Sequence, residues 1–102
     1  WRERKLMTIE RASSASLEVK ALIAADKLDN LSSIMKYLKL DGDKVWSAFS
    51  AEPEAQCWYY NRIAEAIFAN IQRISVPAFF FDYEVLVAEL NDMICNKKDG
   101  AI

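Results

Sequence analysis

Asp26 and Asn30 are the residues whose type and placement could do chemistry. They stand one helical turn apart in Leu22-Ile23-Ala24-Ala25-Asp26-Lys27-Leu28-Asp29-Asn30-Leu31. At 3.6 residues per turn Asp26 falls nearly opposite the seam of Ala24, Leu28, Leu31 and Met35. Val19, Leu22 and Ile23 share its own side, so this stretch is apolar almost all round, the pattern of a helix buried on every face. A carboxylate in such surroundings is costly unless it is paired, hydrogen-bonded or bound to a metal ion. The residues alone leave this open. Asp26 could do no more than pair with a base such as Arg62, and Asn30 could be a solvated or capping amide.

The remaining composition narrows the chemistry. The 102 residues contain no histidine, so neither an imidazole ligand nor an imidazole base exists in this chain. Cys57 and Cys95 are far apart, with no CxxC spacing, and read as two reduced thiols of a cytoplasmic protein. The net charge is −2 and the basic residues are scattered, which disfavours a nucleic-acid partner, because duplex binding rests on phosphate neutralisation. No apolar run approaches the roughly 18 residues of a membrane span. The chain begins at Trp1 without an initiator Met, and reads as a piece from which an upstream part has been removed.

The elements that must position Asp26 and Asn30 are all helical; no strand signal is present. A short helix is expected over 2–11, with Ser13 to Ser16 breaking it and capping the next. The second helix is expected over 17–39, its seam being Leu17, Ala21, Ala24, Leu28, Leu31, Met35 and Leu38, closed by Asp41-Gly42. Asp43 can cap a short turn carrying Val45, Trp46 and Phe49, the last two as core. Pro53 suits the first position of a third helix, expected over 53–74 with Tyr60, Ile63, Ala64, Ile67, Ile71 and Ile74 inward. Pro77 stops it, Phe79-Phe80-Phe81 forms an apolar connector, and Asp82 caps a last helix bearing Leu86, Leu90, Met93 and Ile94. Residues 96–102 are expected to fray.

The segment Ala25-Asp26-Lys27-Leu28-Asp29-Asn30-Leu31 resembles the A-D-[RK]-L-x-N-[ML] motif of HD-domain metal-dependent phosphohydrolases, particularly the branch that hydrolyses the guanosine polyphosphate alarmones. Trp1-Arg2-Glu3-Arg4-Lys5 is similar to the W-x-x-R-K approach in small bacterial members. Val45-Trp46-Ser47-Ala48-Phe49 and Trp58-Tyr59-Tyr60 are similar to their later aromatic pattern. The resemblance implies an all-α helical bundle forming the C-terminal half of an HD-like domain, so that 1–102 is a single partial domain. It implies Asp26 as a ligand of a divalent metal, commonly manganese, with Asn30 and Tyr60 beside a nucleotide substrate; core packing is the other role open to Tyr60. The metal suits a hard oxygen donor and would activate a water against phosphorus. The other ligands of that family, a His and a His-Asp pair, lie earlier in its chain, so these residues alone are expected to be inert.

Three positions depart from the alarmone branch: Ser32 stands where Arg is usual, Ile23 where a basic residue is frequent, and Asp29 where His is frequent. They bear on the substrate more than on the fold. A central helix that loses the first half of its domain would leave Val19, Leu22, Ile23 and part of the phenylalanine run facing water. Self-association is therefore expected. The other class of function open to this sequence is a non-catalytic helical interaction module.

Overall fold

The computed structural model of the chain describes residues 1–48 and 52–95. Four α-helices form a bundle: α1 (Arg2–Ser14), α2 (Leu17–Asp41), α3 (Pro53–Phe68) and α4 (Phe79–Leu90). Short 3-10 turns at Gly42–Ala48 and Arg73–Ser75 link them, and a π-turn at Asn91–Cys95 extends α4. There is no strand among the described residues. The fold is all-α, as the periodicity indicates.

Local chemistry explains the boundaries. The Ser16 hydroxyl caps α2 by accepting from the Val19 N–H at 3.3 Å. Gly42 ends that helix with φ 63°, where its N–H donates to the Leu38 carbonyl. Pro53 stands at the start of α3, where the missing N–H has no intrahelical acceptor to lose. α1 packs chiefly on α3, and α2 on α4. The core between them is built from Leu31, Ile34, Met35 and Leu38 of α2, Ile63 and Ile67 of α3, and Phe80, Tyr83, Val87 and Leu90 of α4. Inside it the Tyr83 hydroxyl donates to the Tyr60 carbonyl at 2.8 Å.

Several expectations are corrected. α1 runs three residues beyond Arg11, and α2 two beyond Lys39. α3 stops at Phe68 rather than Ile74, because Asn70 adopts φ 62° and its amide donates to the Ser13 carbonyl at 3.1 Å. Ile74, assigned to the inner face, is 91% exposed. The phenylalanine run is no connector but the first turn of α4, with Phe80 buried, and Asp82 lies inside that turn rather than capping it. Cys57 and Cys95 are not free thiols: they form a disulfide, Cα to Cα 5.9 Å, that ties α3 to the π-turn. No spacing rule reveals such a pair, since helix packing alone brings the two sulfurs together. Reciprocal amide hydrogen bonds between Asn61 and Asn91, 2.8 and 3.0 Å, close the same seam. Phe49, the side chain of Trp46 and the 96–102 tail lie outside the described residues.

Candidate functional site

The motif helix α2 is not buried on every face. Leu22 is 73% exposed and Val19 40%, and the Asp26 side chain, on the same side, is 64% exposed. Apolar residues around a carboxylate therefore do not make a low-dielectric pocket here; among the described residues much of that face of α2 is left open. Asp26 pairs with its neighbour Lys27 at 3.0 Å, and Arg62 pairs instead with Glu65 at 3.0 Å.

On the adjoining side of α2 a cleft of about 430 Å³ opens where the start of α1, the middle of α2 and the start of α3 meet. Asn30 and Tyr60 both line it, so the structure brings these two sequence-selected residues together. Tyr60 is also part of the buried core, the packing role left open for it. Asp26 does not line the cleft but pairs with Lys27, which does. Burial, then the neighbouring Tyr59 and the Asp26 charge, push the Tyr60 phenol up to about 12.

The cleft also holds groups that the sequence reading did not single out as site residues: Trp1, Lys5, Lys27, Gln56 and Tyr59. Both ammoniums sit over the Tyr59 ring, Lys5 at 4.6 Å and Lys27 at 5.5 Å from its centroid. Burial lowers the Lys5 pKa, and the charges of Lys27 and Arg4 lower it further. Burial also pulls Lys27 down, but its pair with Asp26 and the neighbouring Tyr59 hydroxyl outweigh this and its pKa is raised. That hydroxyl is buried beside Lys27, close enough to interact with the ammonium though not at full hydrogen-bond geometry. The available signal was the Trp1-to-Lys5 stretch and the Trp58-Tyr59-Tyr60 run; their convergence on Lys27 is a product of helix packing.

A metal ion is not accommodated by these residues alone. Asp26 is a single carboxylate with an ammonium on one oxygen, and no group of three His, Cys, Asp or Glu side chains among the described residues could hold an ion. No helix among them is long and apolar enough to cross a membrane.

A second buried group was also missed. Lys20, fully buried, donates to the carbonyls of Ser13 at the end of α1 and Ala66 near the end of α3, both at 2.9 Å, and to the Ala12 carbonyl. It fixes both helix ends to the first turn of α2, and burial lowers its pKa. Its sequence signal was a lysine on the apolar stripe between Leu17 and Ala24.

No protein-family model matches the chain, and no curated protein matches it. The chain is similar to the 1.85 Å crystal structure of lmo0812 from Listeria monocytogenes EGD-e, with 40% sequence identity and a TM-score of 0.85. The match covers 90% of this chain and 60% of that one, so the chain spans less than two thirds of the relative's length while sharing its helical architecture.

Proposed function

We propose that this chain is the C-terminal part of an HD-like, metal-dependent nucleotide phosphohydrolase, with a guanosine polyphosphate as the substrate class. The observation that carries the reading is Asp26. A motif carboxylate stands 64% exposed on a helix face whose apolar neighbours Val19 and Leu22 are also uncovered. Such a face suits a helix designed to pack against further chain, and the longer Listeria relative supports a fuller domain. In this reading Asp26 supplies one ligand of a divalent ion, commonly manganese in the resembling family. The histidine and His-Asp ligands come from outside these residues. Asn30 and the cleft that it lines with Tyr60 face the nucleotide.

The chain alone has no hydrolytic activity in this reading, because it supplies one ligand and no imidazole. The reading places the intact protein in the cytoplasm, where glutathione keeps most thiols reduced and the Cys57–Cys95 bridge forms on oxidation. The experiment is metal-dependent hydrolysis of guanosine polyphosphate by the intact protein, before and after Asp26→Ala.

The uncovered face also leads us to propose that the isolated chain self-associates. Burying one large aliphatic side chain is worth about 1.5–3 kcal/mol, so Val19 and Leu22 together favour pairing with a second copy. Sedimentation over a concentration series is expected to show reversible association that Leu22→Lys weakens. A monomer at every concentration would refute it.

A further inference from the structure

The Cys57–Cys95 bridge is built asymmetrically. Cys57 lies in the body of α3 and is 7% exposed, whereas Cys95 ends a π-turn in which no residue is buried. A reagent from solvent therefore meets Cys95 first, and opening the bond requires no buried side chain of the π-turn to move. One helical turn from each sulfur stands an asparagine: Asn61 follows Cys57 in α3, and Asn91 precedes Cys95 at the end of α4. Their side chains exchange hydrogen bonds of 2.8 and 3.0 Å. The Asn61 amide nitrogen also donates to the Cys57 carbonyl at 2.8 Å. One side chain thus links the backbone of the first cysteine to the turn that ends in the second. None of these bonds involves a sulfur, so they do not depend on the bridge. A pair of thiols held in this way loses little further conformational freedom on closing.

We propose that Cys57 and Cys95 form a reversible dithiol–disulfide couple, in which Cys95 is the site that takes up a small thiol of the glutathione class. Asn61 and Asn91 are its positioning residues and keep the two sulfurs in register while the bond is open. In reduction the small thiolate attacks the Cys95 Sγ. A mixed disulfide forms there, the Cys57–Cys95 bond breaks, and its electron pair leaves on the Cys57 Sγ, which takes a proton from water. A second small thiolate attacks the sulfur of the first, so that Cys95 leaves as a thiol and the small-molecule disulfide departs. Oxidation is the reverse, with the small-molecule disulfide as oxidant: Cys95 is capped, and the Cys57 thiolate then expels the cap. The inference is independent of the phosphohydrolase reading, since it uses no residue of the cleft and no metal.

The test places the chain in mixtures of glutathione and glutathione disulfide, quenches with an alkylating reagent and reads the intact mass. Wild-type protein started reduced and started oxidised should converge on the same bridged fraction. Cys57→Ser should take up glutathione on Cys95 at least about tenfold faster than Cys95→Ser takes it up on Cys57. Asn61→Ala and Asn91→Ala should each lower the ratio of bridged to dithiol protein about tenfold in one fixed mixture. A merely structural amide pair would lower the melting temperature of both redox forms alike and leave that ratio unchanged. Where Asn61→Ala fails to fold by circular dichroism, Asn91→Ala decides, because its turn contains no buried residue. A bridge that glutathione does not open, equal uptake by the two single-cysteine variants, or an unchanged ratio in the asparagine variants that fold would overturn the proposal.

Discussion

Lys20→Met should destabilise the chain by about 3 kcal/mol, although it preserves the length and apolar stem of the side chain. The last carbonyls of a helix have no intrahelical donor. Here the Lys20 ammonium serves those of Ala12 and Ser13 in α1 and Ala66 in α3. A cation at two helix C-termini is also favoured by their dipoles. Methionine leaves the Ala12 acceptor buried without this donor and gives nothing back except a slightly more apolar stem. The other two lose less, since the Asn70 amide also reaches Ser13 and the Ala69 N–H also reaches Ala66. Urea unfolding measures the effect, and a midpoint within error of the wild type would show that the buried lysine contributes nothing net.

Reduction of the Cys57–Cys95 bridge should lower stability by about 2–4 kcal/mol. The bridge closes a sequence separation of 38 residues, spanning most of α3, the 3-10 turn and all of α4. Opening it restores the chain entropy of that loop to the unfolded state. The folded state loses little besides, because the Asn61–Asn91 amide pair continues to hold the π-turn to α3. Thermal melts with and without a dithiol reductant should therefore differ by several degrees or more. The same shift should appear for Cys95→Ser without reductant. Identical melts would mean that the sulfurs are not bonded in the folded protein.

Helix α2 was the most legible element. Its seam of Leu31, Met35 and Leu38 is buried as the four-three spacing requires, and Ser16 and Gly42 mark its ends by their own chemistry. Pro53 announced α3 for a similar reason. The end of α3 was hidden: Ile71 and Ile74 continue the apolar period, and nothing local shows that Asn70 will take a positive φ. The phenylalanine run fits a connector or a buried first turn equally well until α4 is seen to pack on α2.

The site divides along the same line. Asp26 and Asn30 belong to one helix turn, where spacing draws attention to them and the motif resemblance assigns them a role. The cleft beside them depends on Lys5, Lys27 and Tyr59, which come from three helices and meet only through tertiary packing. Apolar composition reports what a helix face could cover, not whether anything within these residues covers it, and Val19 and Leu22 face water as expected of a central helix without the first half of its domain. Leu22 is the clearest instance.

The phosphohydrolase reading stands or falls most directly on hydrolysis of guanosine polyphosphate by the intact protein with manganese present. The wild type is expected to turn over the nucleotide only with the metal. Asp26→Ala should reduce hydrolysis by at least about a hundredfold, more than the loss caused by removing a group behind a ligand. Its helical content should not change, since the Asp26 side chain is 64% exposed and its ion pair among the described residues is with its neighbour Lys27. Undiminished hydrolysis by the Asp26→Ala protein, or a wild type that is inactive with the metal supplied, would contradict the account.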